Sequence, residues 1–414
     1  MMSGQPVAGT IGASLQGIRV VAIEQYMSGP YCTMLLADAG AEVIKIEQPK
    51  GGDPRRAIGP FATDDKGNKS SGGFLAYNRN KKSLTLDLQK PEGREALRRL
   101  VRVSDVVVEN LRPGVVGKLG VGYEELRKEN PRLIYAAISG FGRLEGGKGP
   151  YWQRPAFDIV VEAMSGIMNI VGFADREPIT TIYGLPDIYS GLVASYAISL
   201  ALLQRATSGV GQFLDISMYD CMVSLNERSV LIHSFTGQVP MRGRERLAGP
   251  RGAFKCKDGY VALSCPTDDL WARLARLVGR EDLIADPTTA TGPARAEHDD
   301  VIRPIIEAWL ADKGKEEATQ LLIGAGVPAG PVQTIEDVFR CPQAEARGLL
   351  IEIEDEVAGP KKVARTPVVG SAMAPIPTRR PPRLGEHTEE ILRGLLGYDE
   401  NGVRALRAAG VIAL

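Results

Sequence analysis

Short runs of Val, Ile and Ala alternate with amphipathic stretches through the first half of the chain, a spacing that predicts strands alternating with helices. Residues 18–24 read as a buried strand, 25–30 as a turn and 30–39 as a short apolar helix. Pro30 suits the first helical position, where its missing N–H has no partner to lose, and Gly40 suits the C-cap. Residues 42–47 form a second strand, completing a βαβ half of a doubly wound sheet. Leu84, Leu86 and Leu88 alternate as in a strand. Pro91 opens a helix with Ala96, Leu97, Leu100 and Val101 inward and Arg94, Arg98 and Arg99 outward. The valines of 105–109 and the run 133–139 suit strands buried on both faces of a parallel sheet. A Gly-rich loop predicted to be mobile spans 140–150. Ile159, Val160, Ala163, Met164, Ile167 and Met168 then recur at helical spacing over 157–171, followed by a strand over 212–218 and a helix over 219–236. In open α/β sheets ligands bind at the carboxyl ends of strands, so the turns after Glu24 and Glu109 are candidate sites.

One stretch stands apart. Tyr183-Gly184-Leu185-Pro186-Asp187-Ile188-Tyr189-Ser190-Gly191 places a single carboxylate between a Gly/Pro turn and a run that stays uncharged to Gln204. Two readings of Asp187 stand side by side. It is an N-cap, accepting from backbone N–H groups two or three residues on, or it is a nucleophilic carboxylate at the positive end of a helix dipole. The helix approaches the length of a membrane span, but Ser190, Gly191, Ser195, Tyr196, Ser199 and Gln204 interrupt it, so a buried core helix is expected rather than a membrane segment.

Beyond residue 236 the composition shifts. Residues 240–252 carry four arginines and three glycines and read as a crossing into a second domain. There 253–256 and 260–265 predict a hairpin, with Gly259 in the turn. Asp268 or Asp269 is expected to cap a helix presenting Trp271, Leu274, Leu277 and Val278, stopped by Gly279. Residues 326–331 break the chain and are expected to return it to the first domain. The Pro-rich stretch 375–382 leads to a last amphipathic helix near Thr388. The predicted domains are therefore 1–235 with 331–414, a large Rossmann-like unit, and 236–330, a smaller α+β unit.

Composition narrows the chemistry. Fifty basic residues balance fifty acidic ones, so no global field recruits nucleic acid or an anionic membrane, and an anionic ligand needs a local site. Five cysteines (Cys32, Cys221, Cys256, Cys265, Cys341) show no metal-type spacing and suit reduced thiols in a cytoplasmic protein. Residues 1–14 contain no Lys or Arg; they are expected to fray, and no secretory or transit leader is expected. Glu47 falls where a ribose-binding acid sits in a dinucleotide fold, yet the first turn holds only Gly29 of the three spaced glycines such a fold uses, which disfavours a nicotinamide enzyme.

Several stretches, taken in order, resemble the family III CoA-transferases, also called the CaiB/BaiF family. They are Leu15-Gln16-Gly17-Ile18-Arg19-Val20 with Ser28-Gly29-Pro30, Gly40 to Glu47 with Gly52-Asp53, and Asn80-Lys81-Lys82-Ser83-Leu84. Glu109 to Gly114, Gly184 to Gly191, Gly209 to Asp215, Gly330-Pro331-Val332 and Leu384-Gly385-Glu386-His387-Thr388 continue the series. The resemblance implies a doubly wound α/β domain built from both chain ends, an inserted smaller domain, and a homodimer of interlocked chains whose long linkers would fall near 236–252 and 331–380. It places the catalytic Asp at Asp187. It implies transfer of CoA from an acyl-CoA such as succinyl-CoA to a small free carboxylic acid, through an aspartyl anhydride and an aspartyl-CoA thioester, with no bound cofactor beyond CoA as substrate. A helix N-terminus would keep Asp187 ionised and steady the oxyanions.

The implied CoA cradle falls on Tyr26, Met27 and Ser28, on Gln48, on Leu86 to Gln89, on Asn110, Leu111 and Arg112, and on Lys118. Gln48 and Gln89 stand where better-known members carry cations, which leaves Lys81, Lys82, Arg112 or Lys118 for the phosphates. The arginines of 242–251 are candidates for a second carboxylate on the substrate. A racemase of 2-methylacyl-CoA in the same family needs a His in a Gly-His-Asp stretch; here the match is Ala156-Phe157-Asp158, and His233, His298 and His387 lie elsewhere. A non-catalytic acyl-CoA-binding protein remains the alternative of another class, and the retention of Asp187 weighs against it, since a mere cap would tolerate Ser, Thr or Asn.

Overall fold

The computed structural model of the chain describes residues 13–243, 248–373 and 378–413. Contacts divide the chain into two compact units. The first comprises the chain to Val171, Pro178–Pro240 and Arg347–Leu414; the second comprises Gly172–Glu177 and Met241–Ala346.

The first unit is built on six strands: β1 (Arg19–Ile23), β2 (Glu42–Glu47), β3 (Lys82–Thr85), β4 (Val106–Glu109), β5 (Ile134–Ser139) and β6 (Gln212–Ser217). They lie in the order β3-β2-β1-β4-β5-β6, and every pairing is parallel. The strand order reverses between β1 and β4, so connections leave in opposite directions there and open a crevice at the carboxyl ends. The period of two divides the core. Val21, Ile23, Ile44 and Val107 face Leu97, Leu100, Ile391 and Leu392 on one side. Val20, Ala22, Val43 and Val108 face Leu36, Ala194 and Ile198 on the other.

Helix α1 (Ser28–Asp38) follows β1. Pro30 is its third residue rather than its first; the first four N–H groups of a helix lack partners, so Pro is tolerated there too. Gly40 adopts φ +95° just past the helix, as a C-terminal glycine should. The alternation Leu84, Leu86, Leu88 does not continue the strand. After Thr85 the chain peels off, with Asp87 N donating to Val411 O. The helix expected over 157–171 stops at Met164, where Gly166 (φ +84°) breaks it. Of the residues at helical spacing, Ile159, Val160 and Ala163 are exposed, while Val161 and Glu162 are buried.

Helix α2 (Leu185–Ser208) crosses α1 closely. A Cβ at Gly191 would lie 2.6 Å from Ser28 O and 3.2 Å from Cys32 N, so only Gly permits this approach. Among the described residues α2 is the one helix long and apolar enough to cross a membrane. It is not the fully buried helix the sequence suggests. Ser190, Gly191, Ala194, Ile198 and Ala201 face the core, while Leu192, Tyr196, Leu200 and Leu203 lie 48–71% exposed on the opposite stripe.

The second unit holds the hairpin Arg251–Cys256 with Gly259–Ser264. Residues expected to carry the chain back to the first domain instead supply a third antiparallel strand, Ala329–Pro331, and the units divide at Arg347. Trp271 and Leu274 fill the core of this unit, and the cap of their helix is Thr267, not Asp268 or Asp269. The stretch 331–380, expected to be extended, contains the helix Ile335–Phe339 and the hairpin Leu350–Asp355 with Gly359–Ala364. Residues 1–12, 244–247 and 374–377 lie outside the described residues, and with them most of the expected frayed start and part of the arginine-rich and Pro-rich stretches.

Candidate active site

At the switch point β1 runs into Glu24-Gln25-Tyr26-Met27 and β4 into Asn110. The Asn110 side chain joins the two. Its Oδ1 accepts from Gln25 N at 2.8 Å, and its Nδ2 donates to Gln25 O at 2.7 Å and Ser28 Oγ at 3.0 Å. Gly29 fits beneath because a Cβ there would lie 2.8 Å from Glu24 Cβ and 3.1 Å from Asn110. Tyr26 adopts φ +63°, a left-handed conformation disfavoured for a side chain of its size. Asp53 holds that turn, accepting from Tyr26 N at 3.2 Å and Arg55 N at 2.9 Å.

Below the turn lies a buried set of charges. Lys45 Nζ is 2.8 Å from Asp53 Oδ2 and 3.5 Å from Glu24 Oε1, and Lys81 Nζ is 2.8 Å from Glu24 Oε1. Two cations and two anions balance, as burial demands. Lys81 is therefore not exposed to a phosphate. It also donates to Pro30 O at 2.9 Å and Asn78 Oδ1 at 3.1 Å, and burial lowers its pKa to about 8. Lys82 begins β3, at the amino end of the sheet, and pairs with Glu42 and Glu390. Glu47 is engaged by Arg56, Ser83 Oγ (2.6 Å) and Asp53 N (3.0 Å), which leaves no free acid where a dinucleotide ribose would sit.

Asp187 does not cap α2. Gly184 is the N-cap, with φ +78°, and, lacking a side chain, it makes no capping bond of its own. The positive φ favours glycine there, and a Cβ on Gly184 would also meet Met27 Cε at 2.2 Å and force that side chain to move. Pro186 and Asp187 thus occupy the second and third helical positions, and the Asp187 carboxylate turns to the Ser28 hydroxyl. Nor is it held ionised. Burial, and then the nearby Asp158 carboxylate, push its pKa up to about 7, against the opposing pull of Arg55 and Ser28. Asp158 in turn accepts from Gly184 N at 3.2 Å, tying the segment after the Gly-rich loop to the start of α2.

Beside the turn a cavity of about 180 Å³ is lined by Gln25, Gln48, Leu86, Gln89 and Leu111, together with Leu88, Val115 and Leu119. Arg112 and Lys118 are exposed on the segment between Leu111 and Leu119, and neither has an ion-pair partner among the described residues. The start of the Gly-rich loop is fastened rather than free. Arg143 and Leu144 donate N–H to Asp215 Oδ2 at 2.7 and 2.8 Å, and the Arg143 guanidinium bonds Glu109.

The structure thus gathers Tyr26, Met27, Ser28, Asn110 and Asp187 at one place, sets Gln48, Leu86, Gln89 and Leu111 around the adjoining cavity, and turns Lys81 away. Sequence reasoning did not assign Arg55, Asp53, Glu24 or Lys45 to the site. Their partners lie far off in sequence, and only the Gly52-Asp53 pair gave a signal.

Residues 15–388 match the model of CoA-transferase family III, and the chain belongs to that family. It is 38% identical over 393 residues to a succinyl-CoA:mesaconate CoA-transferase of Haloarcula hispanica, covering 94% of this chain and 97% of that protein. It is 36% identical to a succinate–glutarate CoA-transferase of Agrobacterium fabrum, covering 92% and 95%. The fold superposes on a crystal structure of a CaiB/BaiF family protein from Brucella suis with a TM-score of 0.83 at 36% identity, covering 93% of this chain and 100% of that one. The chain is a CoA-transferase.

Proposed function

We propose that the protein moves CoA from succinyl-CoA to a small dicarboxylic acid, with Asp187 as the nucleophile. The observation that carries this is the freedom of Asp187 from any capping role, with its carboxylate under the influence of the Ser28 hydroxyl at the switch point of the sheet. The relatives named for mesaconate and glutarate support the acid class. Asp187 attacks the thioester carbonyl and the C–S bond breaks, leaving an aspartyl anhydride and CoA thiolate. The thiolate attacks the aspartyl carbonyl, releasing succinate and forming an aspartyl-CoA thioester. The acceptor carboxylate repeats the exchange, and the second attack of thiolate yields the new acyl-CoA and restores Asp187. No proton is gained or lost overall. Incubation with succinyl-CoA and a panel of acids, read by mass, should give a new acyl-CoA from a dicarboxylic acid; no product with any acid sinks the reading.

Only ionised Asp187 attacks, so kcat/KM should rise with pH through about 7 and then level. Asp158→Asn removes the carboxylate that raises this pKa and should move the acidic limb to lower pH, by roughly one unit. Superimposable pH–rate profiles would remove Asp158 from the site's electrostatics.

We assign CoA to the first unit, on Tyr26, Met27, Ser28, Gln48, Leu86, Gln89, Asn110 and Leu111, with its phosphates on Arg112 and Lys118. The paired substitution Arg112→Ala with Lys118→Ala should raise KM for acyl-CoA about tenfold and leave kcat unchanged. Steady-state kinetics checks it, and an unchanged KM removes both residues from the cradle.

The protein is further proposed to be a cytoplasmic, interlocked homodimer. The exposed stripe of Leu192, Tyr196, Leu200 and Leu203 on α2, with Phe157 (58% exposed) and Ile182 (65%) beside the Asp187 turn, supports a covering subunit. Light scattering should give twice the 44.5 kDa of the chain, and a monomer at micromolar concentration would overturn it.

A further inference from the structure

We propose that Arg55 reads the second carboxylate of a dicarboxylic acyl group brought to Asp187, an inference that rests on the transferase reading above. Arg55 sits in the turn Pro54–Ala57 and is 6% exposed. Other well-buried arginines of this unit are held by acids or carbonyls of the chain, although Arg143 Nε has no partner among the described residues. Arg79 pairs with Asp38, Arg143 with Glu109 and Arg205 with Asp105. Arg365 lacks an acid but engages Gly348 O, Thr366 O and Arg347 O through all three nitrogens.

Arg55 does neither. Its Nε donates to Gly73 O at 3.1 Å and its Nη1 to Tyr183 Oη at 3.3 Å. No carboxylate pairs with it among the described residues, and Nη2 makes no protein hydrogen bond there. The rings of Tyr77 and Tyr183 flank the guanidinium, with centroids 5.3 and 5.8 Å from its central carbon. The Nη1–Nη2 end is left with three N–H donors, the edge that takes a carboxylate in a two-pronged fork.

Its placement relates it to the reaction. Tyr183 precedes Asp187 by one turn of chain, so the hydrogen bond to Tyr183 ties Arg55 to the segment bearing the nucleophile. Asp158 and Asp187 make this region acidic, and a second free carboxylate on the acyl group would be repelled there without a cation. Arg55 is the cation whose charge reaches Asp187. A buried, preoriented guanidinium lacking an acid is what a substrate carboxylate would complete. An acyl group ending in methyl would leave it unpaired, which is how a polar site rejects an isostere.

The test compares glutarate with pentanoate as acceptors, and succinyl-CoA with butyryl-CoA as donors, in the wild type, Arg55→Gln and Arg55→Lys. The wild type should prefer the dicarboxylic member of each pair in kcat/KM. Arg55→Gln should lower that preference roughly 100-fold, and Arg55→Lys, which keeps the charge and loses the fork, about tenfold. If the Gln variant does not fold, the Lys variant carries the comparison. Equal slowing of both acids, or a preference that survives substitution, overturns the assignment while transfer itself stands. A wild type inactive with every acid overturns the transferase reading and this role with it.

Discussion

Asp187→Asn is expected to lower CoA transfer by at least about 10⁴-fold, since an amide can form neither the anhydride nor the thioester that the proposed reaction requires. The fold should not suffer, and the reason differs from the one the sequence offers. Were Asp187 a cap, Asn would be tolerated because it caps nearly as well. The cap is Gly184, so no capping bond is at stake. What changes is charge. Burial and Asp158 raise the folded pKa of Asp187 to about 7, above the ordinary carboxylate value. A carboxyl raised in this way contributes stability that is full below its unfolded pKa, near 4, and lost as pH rises through 7. Above pH 7 the wild type thus carries a half-buried carboxylate that Asn would not. The variant should therefore melt at or above the wild-type temperature at pH 8, and the gain should fade on titrating to pH 5. Wild type mixed with succinyl-CoA should show CoA mass on the peptide bearing Asp187, and the variant should not. A variant as stable as the wild type that still transfers CoA removes Asp187 from the mechanism.

Much of the sheet was legible because β4 and β5 are continuous apolar runs, and a strand buried on both faces has no other signature. The turns after Glu24 and Glu109 were legible as candidate sites at the carboxyl ends of strands, but not that the strand order reverses between them. The candidate site was legible in part. Asp187 stood out as the lone charge before a long apolar helix, but the sequence does not reveal that Gly184 takes the left-handed cap and moves Asp187 inside. Lys81 reads as a surface cation beside Lys82. Its burial depends on Glu24, 57 positions earlier, and no local pattern reports a pairing of that range. Arg55 is hidden likewise, since its partners Gly73 and Tyr183 come from separate segments. The exposed stripe of α2 is indistinguishable by composition from a core face. Apolarity records that a surface will be covered, and says nothing of whether the cover is the same chain.

Asn110→Ala is expected to cost about 2–4 kcal/mol of stability and to lower kcat roughly 10²–10³-fold. The first effect follows from the three hydrogen bonds that leave with the amide, which strand Gln25 N–H, Gln25 C=O and Ser28 Oγ in a partly buried turn. The second follows from geometry. Ser28 Oγ accepts from Asn110 at 3.0 Å, and the same hydroxyl lowers the pKa of the Asp187 carboxylate, at the crevice between β1 and β4. Freed of Asn110, Ser28 can rotate, and the Asp187 carboxylate loses a fixed polar neighbour. A displacement on the order of 1 Å at a reacting group is enough for a hundredfold loss. Asn110→Asp separates the two effects. It keeps the acceptor for Gln25 N–H but loses both Nδ2 donations and adds a negative charge beside Ser28. Its stability should lie between wild type and Ala, while its kcat should fall at least as far as that of Ala. Thermal melts and steady-state kinetics on the same preparations decide the matter. Variants that melt lower yet turn over at the wild-type rate would make Asn110 a clamp for the fold alone, with the aim of Asp187 set by the crossing of α1 and α2 at Gly191.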